Sequence, residues 1–285
     1  MVDVTAEPVP SARQVRVIAH RGASGDVPEH TLAAYQRAIE EGSDALECDV
    51  RLTRDGHLVC VHDRRIDRTS TGRGVLSTLE LAELAELDWG SWRGTWDDYE
   101  DPEEPDADRA GLLTLERLLE TVADAGRVVE VAIETKHPTR YAGLVERRLV
   151  ELLDRFGWAH PRLGAASRVR VMSFSSLSLR RVRALAPSVQ RVFLMDRVPL
   201  RLRDGSLPQG VSICGPSIEM VRAHPRYVAR AQRRGNQVHV WTVDETSDIE
   251  LCLELGVDAI ITNRPRRVLS ALGRLPAGPR GGQGE

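Results

Sequence analysis

Nine short apolar runs punctuate this chain, and the spacing between two of them restricts its fold more than any other feature. The runs are Val15–His20, Ala45–Leu52, Leu58–His62, Val128–Thr135, Val169–Phe174, Gln190–Met195, Val211–Cys214, Val238–Thr242 and Ala259–Thr262. Most are rich in Val and Ile and apolar on both faces, as parallel strands covered on both sides are. Helical patterns fall between them at Thr31–Glu41, Thr114–Ala125, Pro138–Phe156, Ser175–Ala186, Arg222–Arg234, Glu245–Leu255 and Arg264–Leu272. Gly42, Gly126, Gly157, Gly235 and Gly256 follow five of these as stop signals. The second and third runs are separated by little more than Arg54-Asp55-Gly56. A parallel crossover needs roughly a dozen residues, so this pair must be an antiparallel hairpin. Every other run has room for a crossover before the next. Removing the hairpin arm leaves eight strands, mostly followed by helices, which is the α/β pattern of a (β/α)8 TIM barrel. The connection Asp196–Gly210 shows no clear helix.

The hairpin has a chemical consequence. With its turn centred on Asp55-Gly56, Asp49 and His62 fall opposite or nearly opposite each other, where cross-strand Cβ atoms are about 5 Å apart. The barrel pattern is interrupted over residues 63–112, read as a small inserted cap over the barrel mouth. It holds Trp89, Trp92 and Trp96 and an acidic run at 97–108, which reads as a solvated loop. Residues 1–12 and 275–285 are Pro- and Gly-rich and are expected to be disordered tails around a barrel domain at 13–274.

Barrel enzymes carry their catalytic groups at the C-terminal ends of strands. His20 and Arg21 end the first strand. Glu47 and Asp49, two apart on the next strand, share one face, and Glu134 and Lys136 repeat that spacing on the next barrel strand. Trp241 ends a later one. Lys136 is the only lysine among 39 basic residues, a place where a compact, mobile ammonium does what guanidinium cannot. Three carboxylates from adjacent strands suit one hard divalent cation, Mg²⁺ or Ca²⁺, better than zinc, whose thiolate or multiple imidazole ligands are not grouped here. Ion pairs from Glu47, Asp49 and Glu134 to Arg21, Arg51 and Lys136 are the structural alternative. His20 and His62 read as a proton-transfer pair around a phosphoryl group, with Arg21 and Lys136 on its oxygens. His57, His137, His160 and His224 read as surface-turn residues, and His239 shares the face of Trp241.

A formal net charge of -3 without a basic block argues against a general nucleic-acid surface. Cys48, Cys60, Cys214 and Cys252 lie in or beside apolar runs without metal spacing, as buried small hydrophobes of a reducing compartment do. No signal-peptide pattern and no apolar run near the length of a membrane span is visible, so the expected location is cytoplasmic.

The ordered set of motifs is specific. HRG begins at His20, followed by PEHT at 28–31, ECD at 47–49, TRDG at 53–56, HD at 62–63 and TGRG at 71–74. TLERLL at 114–119, ETK at 134–136, SF at 173–174, VWTVD at 240–244 and TNRP at 262–265 complete it. From about Val15 to Arg267 the chain resembles the glycerophosphodiester phosphodiesterase family, within the phospholipase-C-like TIM-barrel phosphodiesterases. The resemblance implies His20 and His62 as general acid and base, Glu47, Asp49 and Glu134 as metal ligands, and Arg21 and Lys136 on the phosphate. It matches Glu29 to a glutamate supporting the site near the phosphate and arginine, and Trp241 to an aromatic lining the substrate pocket. Phe174 is read both as a pocket residue and as plain core. The chain departs from the family at His30, where asparagine is usual, at Asn263, where aspartate is common, and at Asp244, where asparagine is common.

The implied reaction is metal-dependent hydrolysis of a small glycerophosphodiester to sn-glycerol 3-phosphate and an alcohol. Two other readings stay open: a related enzyme acting on lysophospholipid or sphingolipid head groups, and a barrel that binds a phosphodiester without turnover.

Overall fold

A computed structural model describes residues 14–93, 110–137, 141–162 and 167–275. Eight parallel strands close into a barrel: β1 (Arg16–His20), β2 (Ala45–Leu52), β4 (Glu130–Thr135), β5 (Val169–Ser173), β6 (Gln190–Met195), β7 (Ile213–Pro216), β8 (Gln237–Val240) and β9 (Ala259–Thr262). Pairing of β1 with both β9 and β2 completes the ring. The remaining strand, β3 (Leu58–Cys60), is the antiparallel arm expected from the short turn. β2 is longer than its neighbour β1, which pairs only with Ala45–Glu47, and β3 takes over the free edge above, pairing Val50–Leu52. Gly56 makes the turn with φ 90.

The hairpin register differs from the expected one by a single residue. Val50 pairs Cys60, so Val61 rather than His62 stands across from Asp49, and the Val61 N–H donates to the Asp49 carbonyl at 3.0 Å. β3 ends at Cys60, and His62 lies in the loop beyond it.

Helices alternate with strands: α1 (Leu32–Glu40), a short α2 (Leu81–Ala85) in the insertion, α3 (Leu115–Ala123), α4 (Leu144–Arg155), α5 (Ser176–Leu185), α6 (Ile218–Ala223), α7 (Arg226–Arg233), α8 (Thr246–Glu254) and α9 (Pro265–Ala271). Side-chain oxygens of Thr31, Thr114, Ser175 and Ser217 cap four of them by accepting from N–H groups three residues on. The pattern read as one helix over Arg222–Arg234 is two, because His224 leaves the helical region ahead of Pro225. The connection after β6 holds only a single 3-10 turn, Leu200–Leu202.

Strand alternation divides the core. Ala19, Leu46, Cys48, Val131, Ile133, Val169 and Val171 point outward into the layer of helices. Inside the barrel, Ile18, Ala45, Ala132, Met172, Val192, Ile213, Ala259 and Ile261 form an apolar plug. Polar side chains occupy the inward positions above and below it.

The insertion after β3 has an apolar cluster of its own: Val59, Val61, Ile66, Leu76, Leu84 and Trp89 are buried together. Trp89 is core there, its indole N–H donating to the Leu84 carbonyl at 3.0 Å, and Trp92 stacks under the Arg68 guanidinium at 5.8 Å. Arg93 ties the insertion to the β1–α1 loop through the Val27 carbonyl at 2.7 Å. Trp96, the acidic run at 97–108, the N-terminal tail and residues 276–285 of the C-terminal tail lie outside the described residues.

Candidate active site

The site grows from the ends of β1, β2 and β4. Barrel pleating turns every second residue inward, so His20, Glu47, Asp49 and Glu134 rise above the apolar plug on one rim. Carboxylate oxygens of Glu47, Asp49 and Glu134 lie within 4.8 Å of one another, all buried. Lys136 Nζ stands between two of them, 2.9 Å from Asp49 Oδ1 and 2.9 Å from Glu134 Oε1. Arg21 Nε pairs with Asp49 Oδ2 at 3.1 Å. The cation and the ion-pair readings of this cluster are therefore compatible: Arg21 and Lys136 do pair with it. Arg51 does not. Its Nε and Nη2 donate to the His62 carbonyl at 2.9 and 2.6 Å and fix the backbone of that loop.

Packing three carboxylates together out of water sets their protonation. Burial, then the negative charge of Asp49, pushes Glu47 well above the usual carboxylate range, and the same two causes raise Glu134 to about 8. Burial acts on Asp49 too, but Lys136, the His30 hydrogen bond and Arg21 outweigh it and hold Asp49 well below its ordinary value.

The β1–α1 loop is folded tightly against this cluster. Arg21 and His30 take left-handed backbones, with φ 57 and 62, and the His30 N–H closes the loop on the Arg21 carbonyl at 3.1 Å. Such conformations in non-glycine residues persist only when the surroundings enforce them. Gly22 passes so close to α1 that a Cβ there would lie 2.6 Å from the Ala34 carbonyl carbon. His30, a departure from the family pattern, is buried. Its Nε2 meets Asp49 Oδ2 at 3.0 Å and its Nδ1 meets the Tyr35 hydroxyl at 2.8 Å. Burial lowers its pKa, and the Tyr35 hydroxyl that it meets donates to the Glu47 carbonyl at 3.1 Å, tying the ring to β2.

The two rim histidines sit in different surroundings. His20 points Nε2 toward Glu47, at 3.9 Å, while its Nδ1 meets Asn263 Oδ1 at 2.7 Å. Burial, with the Arg21 charge added, drops its pKa to about 3. His62 is a third exposed, and its Nδ1 meets the Asp63 carboxylate at 2.7 Å. Burial and the charges of Arg21 and Lys136 lower its pKa against the pull of Asp49. The two remaining departures, Asn263 and Asp244, are bonded to each other: Asn263 Nδ2 donates to Asp244 Oδ2 at 2.6 Å.

Glu29 lies behind Arg21, accepting from its Nη1 at 2.9 Å. Sequence reasoning missed its other partner. Arg68 of the insertion donates from both Nη atoms to Glu29, at 2.8 Å each, and from Nε to Asp63 Oδ2 at 2.5 Å. One arginine thus links the carboxylate behind Arg21 to the carboxylate behind His62. The fork geometry of guanidinium suits such a clamp, but the only signal in sequence was its place three residues before TGRG.

On the far side, Phe174 meets Trp241 edge to face, with ring centroids 5.5 Å apart at 88°. Trp241 anchors its indole N–H on the Gly215 carbonyl at 2.7 Å, and Phe174 stays 44% exposed, which makes it rim surface and not core. A cavity of about 370 Å³ opens beside Lys136, between Arg51, Arg64, Ser77, Thr78 and Tyr141. His239 lies elsewhere: it is buried below the plug, two residues down the strand from Trp241. His57, His160 and His224 are exposed, but His137 is half-buried with Nε2 3.4 Å from the buried Glu146, so it is not a plain surface-turn residue.

Comparison with known proteins decides the family. The sequence model of the glycerophosphoryl diester phosphodiesterase family matches residues 20–267. The chain belongs to this family. It is an enzyme, a glycerophosphodiester phosphodiesterase. A protein of Mycobacterium tuberculosis named probable glycerophosphodiester phosphodiesterase 1 is 48% identical over 252 residues, covering 88% of this chain and 90% of the relative. The glycerophosphodiester phosphodiesterase of Bacillus subtilis is 32% identical over 90% of this chain and 85% of its own. Among solved structures, a phosphodiesterase of Oleispira antarctica in complex with the product sn-glycerol-3-phosphate superposes with a TM-score of 0.73, at 25% identity, over 90% of this chain and 96% of that one. In this phosphodiesterase, the HRG, ECD and ETK motifs fall on the three strands that build the acidic rim.

Proposed function

We propose that this enzyme hydrolyses glycerophosphodiesters to sn-glycerol 3-phosphate and an alcohol, with one divalent cation held by Glu47, Asp49 and Glu134. The observation that carries this reading is the trio of buried carboxylates within 4.8 Å, flanked by two histidines on one rim. The donor set fits a hard cation. All three ligands offer oxygen, and burial, then the repulsion of Asp49, raises Glu47 and Glu134, a strain that a shared cation would relieve. When bound, Mg²⁺ or Ca²⁺ would supply Lewis-acid neutralisation of phosphoryl charge.

The chain's own groups account for the remaining steps. Arg21 and Lys136 bind nonbridging phosphoryl oxygens, and Glu29, gripped by Arg68, holds Arg21 in place. One of His20 and His62 removes a proton from the attacking nucleophile, and the other protonates the departing alkoxide. Phe174 and Trp241 form an apolar wall for the substrate. The product named in the Oleispira structure supports sn-glycerol 3-phosphate as the fixed half of the substrate. Among the described residues no helix is long and apolar enough to cross a membrane, and the four free, buried cysteines support a cytoplasmic location.

The test is to strip the protein with chelator and assay glycerol 3-phosphate release from glycerophosphocholine, glycerophosphoethanolamine and glycerophosphoglycerol. Mg²⁺, Ca²⁺ or Mn²⁺ is then restored singly. Release that returns with metal is the expected result. Faster turnover of lysophospholipids would move the enzyme to the lipid head-group class. Ligand binding without product under every metal would make it a binding barrel.

A further inference from the structure

His20 is held from behind by an amide that has no freedom to turn over. Asn263 follows β9, 243 residues along the chain from His20. Asp244 meets it with both oxygens. Oδ1 accepts from the Asn263 backbone N–H at 2.8 Å and from Thr262 Oγ1 at 3.0 Å, and Oδ2 accepts from Asn263 Nδ2 at 2.6 Å. A carboxylate can only accept, so the amide must turn its NH₂ toward Asp244. Its oxygen is then left facing His20 Nδ1, at 2.7 Å. An amide oxygen also only accepts, so the proton between them belongs to Nδ1. Ser24 Oγ stands 2.8 Å from the same amide oxygen and 2.7 Å from the His20 carbonyl, and its single proton serves one or the other.

A free neutral imidazole samples both tautomers, and the partner of one nitrogen decides the state of the other. We infer that Asp244 is a positioning residue acting through Asn263: it orients the amide, the amide fixes His20 as the Nδ1–H tautomer, and the Nε2 lone pair is thereby presented to the reacting phosphodiester. This rests on the proposed role of His20 in proton transfer. The arrangement differs from that of His62, whose Nδ1 partner is the carboxylate of Asp63. An imidazole backed by a neutral amide is oriented without a charge that would stabilise its protonated form.

The inference predicts a particular pattern of failure and rescue. In D244N the Asn263 backbone N–H keeps the amide oxygen in the place of Oδ1, so the new NH₂ faces Asn263, whose own amide turns over and presents its NH₂ to His20 Nδ1. In N263D, two carboxylates oppose each other. The double exchange D244N/N263D reverses the polarity of the pair but restores the chain of donors. The carboxylate now at position 263 accepts from Nδ1–H, and the amide now at position 244 donates to that carboxylate. Long-range ¹H–¹⁵N correlation on ¹⁵N-histidine-labelled protein at neutral pH reads the tautomer, with the His20 signals identified by their loss in H20Q. The expected result is Nδ1–H in wild type, a shift to Nε2–H in D244N with kcat lowered about 10- to 100-fold and KM moved far less, and recovery of both in the double exchange. An Nε2–H ring in wild type would overturn the inference, as would a D244N protein with unchanged tautomer and kcat. So would a double exchange no better than the single ones. Should D244N not fold, the spectra of wild type and the double exchange decide alone. A wild type with the Nδ1–H ring but no phosphodiesterase turnover would instead sink the proposed function and leave this inference standing.

Discussion

Charge is buried at both ends of the barrel, and the ends use it differently. Below the apolar plug, Arg16 and Arg170 both pair with Glu130, and His239 lies beside them. Burial, then the Arg170 and Arg16 charges, keeps His239 far below its ordinary pKa, and burial, with the Arg16 charge added, brings Arg170 down to about 10. At these strand starts Glu130 bridges the two guanidiniums, while Arg170 Nε and His239 Nδ1 make no hydrogen bond. Above the plug, three carboxylates compete for Lys136 and Arg21, Glu134 is forced up to about 8, and two histidines face the excess. Buried charge by itself is thus no mark of a site. The rim differs in crowding together more carboxyl groups than its own cations keep ionised, at the strand ends where a barrel opens to substrate.

That contrast breaks if both ends respond alike to mutation. H20A and H62A should each lower kcat by about 10²–10⁴-fold, equivalent to about 2.7–5.5 kcal/mol of barrier, with the melting temperature little changed. Near wild-type turnover in either variant rejects its assignment. R170M is expected to do the reverse: urea unfolding should show a loss of about 2–3 kcal/mol, while kcat holds. Loss of activity in folded R170M would mean that the two ends are coupled through the plug.

A smaller effect separates the rim from its support. Burial opposes the ionisation of Glu29, but Arg68 and Arg21 overcome it and bring its pKa from 4.5 to about 2. A depressed folded-state pKa stabilises the protein fully above pH 4.5, and the contribution is lost as pH falls toward 2. Wild type should therefore exceed E29Q by on the order of 2 kcal/mol at pH 6, with the gap closing by pH 2 in urea titrations at each pH. A gap that does not depend on pH would assign Glu29 a packing role instead. R68A should cost least, about tenfold in kcat, by slackening Glu29 and Asp63 together. An R68A enzyme as active as wild type would remove the insertion from the catalytic machinery.

Much of this was legible along the chain because strands have a period of two. Arg16, Ile18 and His20 share one face of β1, and Glu130, Ala132 and Glu134 share one face of β4. A polar base, an apolar middle and a charged rim are therefore written into each strand once the strands are known. The five-residue connection forced the hairpin, and ordered motifs named the family. The hairpin centres on Asp55 and not between Asp55 and Gly56, because the Thr53 N–H closes the turn on the His57 carbonyl at 3.0 Å; Val61 stands across from Asp49, and His62 nearly so. His62 reaches the rim all the same because β3 stops before it.

The sequence by itself determined the barrel, its hairpin arm and the residues facing the rim, since these follow from local periodicity and from how far a short connection can reach. Only the tertiary structure decided what stands behind those residues. Arg68 from the insertion joins Glu29 to Asp63, and Asn263 and Asp244 from the last strands close on His20 from the first. Hydrogen-bond partners at such separations are set by barrel closure, which brings β9 against β1, and no local pattern in the chain records that contact.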